Sequence, residues 1–463
     1  MDTDETISYK GEWWLPSKQQ KETGILKIFR DKEIRLELDY FFNLEIGMQI
    51  GYPRNFEIIL GKTTNSEKIT LLNCRDRDLL GKLFNIEFVF IGEHFNSFKD
   101  IKFKSMEFEY TYLNEWAYFD WYKQYIYYKK NKVNKVETTY IKKAPIKIFL
   151  DIPENKINLT FSFNLINSFN SSSKGYKKRE TVLLAESNKQ KTFDEWWNII
   201  TIIRNFLILG IIKPIYPSIV KAKINKRKKV DIHRTINVNT NLSDVRFYDM
   251  LFTLKDIERD VEKYLRNWFI KSSKLKDIVT GLFIVLNNSE MGFENQLIYL
   301  SGLAEWYFRD NKDFLIMTSQ EYNDQRAKII DLIKSHINLD PCFIENNIIN
   351  KYGYQKNFRT ILKELVDKVV EIFQLEKSFK KYYCDKTVET RNYFVHKDER
   401  LKDKAAKGKK LYDIVRFLEM VLIINILIEI EFDKEMIKKV FNRFDEFNSI
   451  YRNIIRSVKK SLI

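Results

Sequence analysis

Arg391 and His396 stand five residues apart in the segment Arg391-Asn392-Tyr393-Phe394-Val395-His396. Lys397, Arg400, Lys402, Lys404, Lys407, Lys409 and Lys410 follow directly, against Asp398, Glu399 and Asp403. Cutting RNA without a metal needs three things at one phosphate. A group titrating near neutrality must move a proton from the 2′-OH or to the leaving 5′-oxygen, and histidine is suited to that. A fixed cation must hold the phosphate as charge builds in the transition state, and the arginine fork does so with two parallel hydrogen bonds. Basic surroundings must hold the rest of the strand, which assigns Lys397, Arg400, Lys402, Lys404 and Lys407 to RNA contact.

Spacing sets a geometric condition. On a regular helix five residues rotate a side chain by about 140°. Arg391 and His396 therefore point apart unless the arginine reaches round, the helix ends before His396, or two copies of the segment meet across a dimer cleft. A plainer reading also stands: Arg391 in a surface ion pair with Glu389 or Asp398, and His396 as a helix C-cap.

Nothing else in the chain offers comparable chemistry. His94 ends a β run, His233 lies beside a basic stretch and His336 sits in a helical one, each reading as structural or surface rather than catalytic. No nucleophile elbow, phosphate-cradling glycine loop or paired-histidine metal motif occurs, so neither metal nor cofactor is expected. Cys74, Cys342 and Cys384 are odd in number and far apart, fitting a reducing cytoplasm.

The elements that must position the motif are helices. Leu254, Ile257, Val261, Leu265 and Trp268 recur at helical spacing from about residue 246 onward. Helices are predicted at 275–287, 293–309, 319–336, 357–379, 385–397, 409–431 and 433–460, with 411–428 apolar on most sides and central to a bundle. Residues 1–190 read instead as β. GILKIF (24–29), EIRLEL (33–38), NFEIIL (55–60), KITLL (68–72), NIEFVFI (85–91), 101–113, 146–152 and 157–166 are short Ile-, Phe-, Tyr- and Val-rich runs of a sandwich or barrel. Residues 168–178 read as a solvated loop. Thr192-Phe193-Asp194-Glu195 has the form of a capping box opening a helix that ends near Gly210. The basic run from Lys221 to Lys229 then reads as an interdomain connection. The fold class is thus α+β: a β-rich domain (1–190), a helix plus connector (191–245) and an all-α domain (246–463).

The 463 residues carry a formal net charge of +16, which attracts polyanions. Hydrophobic residues at 44% and charged ones at 31% are ordinary for a globular protein and exclude a disordered chain. Neither apolar run, 196–216 or 415–430, is free of charge over the roughly 20 residues a membrane span needs. The polar start, MDTDETISYKGEWW, predicts no signal peptide, hence a cytoplasmic protein without membrane contact. The aromatics Trp13, Trp14, Trp116, Tyr118, Trp121, Tyr125, Tyr127 and Tyr128 read mostly as core, with a recognition surface as the alternative. The lysines around 129–143 read as a solvated edge, with an extension of an RNA track as theirs.

TRNYFVH (390–396), a short charged loop and a long apolar helix together resemble the HEPN superfamily, most closely its ApeA-like group. LAEWYFR (303–309) resembles that family's helix carrying a Glu and an Arg. GEWWLP (11–16), with GILKIF and EIRLEL after it, and FKSMEFEYTYLNEW (103–116) resemble the ApeA N-terminal domain. The resemblance spans most of the chain. It implies a helical, dimeric, metal-independent endoribonuclease in which Arg391 stabilises the scissile phosphate. His396 would be the acid/base, and Asn392 would orient substrate or the arginine. Glu305 would hold Arg391 in place, or else be an ordinary helix-surface acid. It also implies antiviral defence by abortive infection: a toxin cutting RNA, tRNA among the candidates, once a phage protein triggers it through the β-rich sensor. Two readings compete: a non-catalytic RNA- or nucleotide-binding protein, and a scaffold whose β domain senses a peptide.

Overall fold

The computed structural model describes residues 6–29, 33–42, 55–78, 81–129, 131–152, 155–169, 175–235, 245–288, 290–309, 315–336, 344 and 352–461. Cys342 lies outside them. The chain divides into two compact units. The first comprises Met1–Leu207, Ile215–Phe247 and Thr253–Arg266, the second Ile208–Pro214, Tyr248–Phe252 and Asn267–Ile463.

In the first unit six strands close a barrel: β1 (Ile7–Trp14), β2 (Lys21–Ile28), β3 (Ile34–Leu38), β4 (Asn55–Thr63), β5 (Lys68–Asp76) and β6 (Leu83–Ile91). They form two antiparallel meanders, β1-β2-β3 and β4-β5-β6, joined where β1 pairs β4 and β3 pairs β6. Alternation explains the inside. Ile34, Leu36 and Leu38 of β3 are buried while Arg35 and Glu37 between them are half-exposed. Trp13 fills the centre, wholly buried, with Gly61 as its cross-strand partner. A side chain at 61 would collide with the indole, which is why glycine stands there.

From β6 the sheet continues through β14 (Lys229–Arg234), β13 (Pro217–Lys223), β7 (Lys102–Tyr110), β12 (Gly175–Thr192), β11 (Asn155–Phe169) and β10 (Ile146–Ile152). The basic run expected to connect domains is therefore a hairpin inside the sheet. Val220, Ala222, Val230 and Ile232 supply the buried half of its alternation, and the lysines supply the solvent half. The predicted loop ends early as well, since β12 begins at Gly175. A separate hairpin, β8 (Tyr122–Lys129) with β9 (Lys132–Tyr140), is exposed on both faces apart from a half-buried Glu137. Trp13 and Trp116 are core, whereas Tyr125, Tyr127 and Tyr128 are solvent-facing.

Besides the short α1 (Leu113–Trp116), the first unit contains the start of α2 (Phe193–Ile211), the one-turn helix at Leu254–Ile257 and the first residues of the helix Val261–Asn287. The capping box forms as the sequence predicts: Thr192 N–H donates to Glu195 Oε2 (2.7 Å) and Glu195 N–H to Thr192 Oγ1 (3.3 Å). Trp196 anchors the helix by donating to the Phe103 carbonyl at 2.9 Å.

After α3 (Leu254–Ile257) and α4 (Val261–Asn287), the second unit is helical: α5 (Phe293–Arg309), α6 (Ser319–His336), α7 (Phe358–Phe373), α8 (Lys377–His396), α9 (Lys409–Glu429), α10 (Lys434–Arg443) and α11 (Asp445–Ser461). The fold class is thus α+β, a barrel-containing strand-rich part followed by a helical one. The predicted helix 357–379 is divided because Gln374 takes the left-handed conformation at φ 53°, ending α7. The predicted 433–460 is divided at Phe444, whose backbone is extended. Helix α9 is buried nearly all round, as its composition predicts, and packs on α5, α7 and α11. Buried Asn425 donates to the carbonyls of Leu365 (3.1 Å) and Val421 (2.7 Å), tying α9 to α7. No helix among the described residues is long and apolar enough to cross a membrane.

Candidate active site

Helix α8 carries the motif. Phe379, Tyr383, Cys384, Thr387, Val388 and Thr390 form its buried stripe, at the spacing that presses one helical face into a core. The helix runs unbroken to His396 and stops at Lys397, which turns left-handed (φ 52°) and donates its N–H to the Tyr393 carbonyl at 2.8 Å. The capping position is therefore Lys397, and His396 is the last helical residue.

Arg391 is half-buried, and three elements hold it. From α5, Glu305 Oε1 lies 3.5 Å from Nη2. From α7, the Phe358 ring centre lies 5.5 Å from the guanidinium carbon. From α8 itself, Asn392 Oδ1 accepts from Nη1 at 3.3 Å. The buried Nε has no hydrogen-bond partner among the described residues. A charge-assisted arginine–carboxylate bond normally closes to about 2.7–2.9 Å, so these contacts orient the fork without saturating its five N–H donors. Neither Glu389 nor Asp398 holds Arg391; Glu389 pairs with Lys386 and Asp398 with Arg400.

His396 is exposed. On this unbroken helix it projects about 140° from Arg391, so the helix itself turns the two positions apart. An end of the helix before His396 is thereby excluded.

The basic loop is fastened to α8 at two points. Thr390 Oγ1 accepts the Ala406 N–H at 2.9 Å, and Lys386 Nζ donates to the Lys404 carbonyl at 2.7 Å. Its cations differ in what they already hold. Arg400 grips Asp398 with Nε (2.9 Å) and Nη2 (2.8 Å), which lowers the Asp398 carboxyl pKa, and Lys402 donates to Glu399 at 3.0 Å. Lys397 lies 5.8 Å from the Tyr393 ring centre. Lys404 and Lys407 are exposed and have no carboxylate within 4.0 Å among the described residues.

Phe358, Thr390 and Lys386 escape the sequence reading as positioning residues. Thr390 had a weak local signal, a hydroxyl on the buried stripe of a helix; Phe358 had none, being distant in the chain. Elsewhere His94 is structural, its Nε2 at 2.7 Å from the Gly61 carbonyl and its ring edge-on to Trp14. Among the described residues no group of three or more His, Cys, Asp or Glu side chains converges as metal ligands would.

Residues 8–268, more than half the chain, match the family model described as ApeA N-terminal domain 1. Residues 300–436, from α5 to the start of α10, match the model described as Apea-like HEPN, and they include Glu305, Arg391, His396 and the basic loop. No curated protein and no solved structure matches.

Proposed function

We propose, from the premise that this chain belongs to the family of ApeA N-terminal domain 1 proteins with an Apea-like HEPN domain, that it is a metal-independent endoribonuclease. HEPN domains are generally ribonucleases that bind RNA and dimerise. The observation that carries the reading here is Arg391: a guanidinium aimed by Glu305 and Phe358, with a buried Nε left open and a cationic loop fastened to the same helix.

In this mechanism a ribose 2′-oxygen attacks the adjacent phosphorus while the bond from phosphorus to the 5′-oxygen breaks. The products are a 2′,3′-cyclic phosphate and a 5′-OH end. His396 takes the proton from the 2′-OH or gives one to the departing 5′-oxygen, Arg391 stabilises charge on the equatorial oxygens, and Asn392 keeps the arginine oriented. Because α8 turns the two side chains apart, a working site combines Arg391 of one copy with His396 of a second, as a two-fold dimer allows. The RNA, tRNA among its candidates, lies along Lys397, Arg400, Lys402, Lys404 and Lys407. The setting is the cytoplasm, and the role is abortive defence against phage, with the β unit as sensor of a phage protein.

A second reading has its own observation. Among the described residues nothing orients the His396 ring by a hydrogen bond, whereas a catalytic histidine is ordinarily held by its other nitrogen. A pure RNA binder needs no such restraint. Incubating purified protein with total RNA in EDTA, beside His396→Ala and Arg391→Ala, separates the two. Cleavage lost in both variants supports the nuclease, and cleavage undiminished in His396→Ala sinks it.

A further inference from the structure

The first unit contains a cavity of about 430 Å³ that the nuclease reading does not use. It opens where β6 changes partner along one edge, from β3 at Asn85 opposite Arg35 to β14 at Phe88 opposite Arg234. Ile86 and Glu87 lie between the two ladders. Thr235 fills that gap, donating from Oγ1 to the Ile86 carbonyl at 2.5 Å and from its N–H to the Glu87 carbonyl at 2.9 Å.

Three guanidiniums and two carboxylates are among the lining residues. Arg204 reaches it from α2, Arg234 from the end of β14 and Arg75 from β5. Arg234 is pressed between rings, its carbon 5.0 Å from the Trp197 centre and 5.3 Å from that of Phe88. Its Nε is buried with no hydrogen-bond partner among the described residues. Burial lowers the pKa of both Arg204 and Arg234, and the charge on Arg234 lowers that of Arg204 further. Arg204 donates to Asn205 Oδ1 from Nε at 3.2 Å and Nη2 at 3.0 Å, a neutral acceptor, and an anion is a stronger partner for a desolvated guanidinium.

Two carboxylates line the same cavity and offset part of that charge. Glu33 is held by Arg35 (2.8 Å) and Arg77 (3.1 Å). Glu87 accepts from Asn73 at 2.9 Å and forms an ion pair with Arg234 Nη2 at 3.7 Å, which works against the effect of burial on that arginine. These two acids would repel a ligand that is anionic throughout, such as pyrophosphate. They would accept hydrogen bonds from hydroxyl or amino groups carried by the same ligand. The volume falls within the range of small-molecule sites, roughly 300–1,000 Å³, and suits one nucleotide rather than a strand.

We propose that this cavity binds a small phosphate monoester bearing hydroxyl or amino donors, a mononucleotide or a sugar phosphate, with its phosphate on Arg204 and Arg234. Paired guanidinium forks match phosphate oxygens, and Arg75 at the mouth supplies a third cation. The proposal does not rest on nuclease activity of the helical unit.

Calorimetric titration of the full chain with AMP, GMP, CMP, UMP and ribose 5-phosphate tests it, with adenosine and inorganic phosphate as controls. At least one ester binds more tightly than about 1 mM, and more tightly than inorganic phosphate or adenosine. Arg234→Gln weakens it at least about tenfold, the loss of one charged hydrogen-bonding partner. Arg75→Gln, at an exposed site, weakens it less and leaves the melting temperature in place, which separates loss of binding from loss of fold. Preference for a nucleotide over ribose 5-phosphate assigns the donors to the base; equal affinity assigns them to the sugar. No binding by any ester, affinity unchanged in Arg234→Gln, or binding abolished instead by Arg391→Ala would each overturn the proposal.

Discussion

The Thr390 hydroxyl joins the motif helix to the basic loop: it donates to the Lys386 carbonyl at 2.6 Å and accepts the Ala406 N–H at 2.9 Å. Thr390 is fully buried and Ala406 nearly so, at 3% exposure, so no water can replace the hydroxyl. Thr390→Val keeps the shape and strands that N–H, at about 1–3 kcal/mol. Scanning calorimetry should show the helical unit melting at least about 2 °C lower, with Thr390→Ser close to wild type. A valine variant that melts with the wild type would remove this hydroxyl from the account of how the loop is held.

Arg391→Lys keeps the charge but loses both the fork and the planar contact with Phe358. Single-turnover cleavage in EDTA should fall by about 10²-fold or more, the scale of losing one transition-state donor, with RNA affinity changed far less. Equal losses in rate and affinity would reduce Arg391 to a binding residue.

Mixing inactive Arg391→Ala with inactive His396→Ala provides a test of the two-copy site. Random pairing makes half the dimers mixed, each with one intact site, so activity should return to about a quarter of wild type. No recovery would place both residues in a site within one chain.

The loop lysines should not count equally. Arg400 and Lys402 already have carboxylate partners, whereas Lys404 and Lys407 do not among the described residues. Lys404→Ala and Lys407→Ala should each lower the slope of log affinity against log salt by about 1, and Arg400→Ala by clearly less. Equal slopes would show that RNA displaces Asp398 without penalty.

Glu93 makes the first unit acid-sensitive. Its carboxyl is opposed by burial, yet Lys228, Lys68 at 2.9 Å and the His94 N–H at 3.1 Å together bring its pKa down to about 2. A depressed carboxylate contributes stability above its ordinary pKa and loses it as pH falls toward the folded value. Because both lysines are half-exposed, the contribution at pH 7 is about 1 kcal/mol. Glu93→Gln should melt below wild type at neutral pH, and the difference should close between pH 4.5 and about 2. A constant difference across that range would assign the loss to packing.

Strands that alternate over a few residues were readable in the sequence, as IRLEL shows, because one buried face leaves its period behind. The hairpin β13-β14 was hidden by its lysines, because Val220, Ala222, Val230 and Ile232 make only a short apolar stripe between them. The break at Gln374 had no glycine or proline to announce it. At the site, the motif and its basic loop were legible because they are contiguous. The partnership of Arg391 with Phe358 joins positions on separate helices and has no local trace. The direction of His396 was a matter of whether a helix stops one turn sooner, which single-residue propensities do not decide.

The barrel's two meanders have a consequence for how the chain reaches this fold. Each is local in sequence and can assemble by neighbouring hairpins, but closing the ring requires β1 to find β4 and β3 to find β6 together. The register at the first seam is keyed by Trp13 against Gly61. A slip by one residue would place Lys62 opposite the indole and turn a whole face of the strand outward. Ring closure at this seam should therefore be the slow event of folding, and Gly61→Ala should retard refolding of the barrel more than it hastens its unfolding.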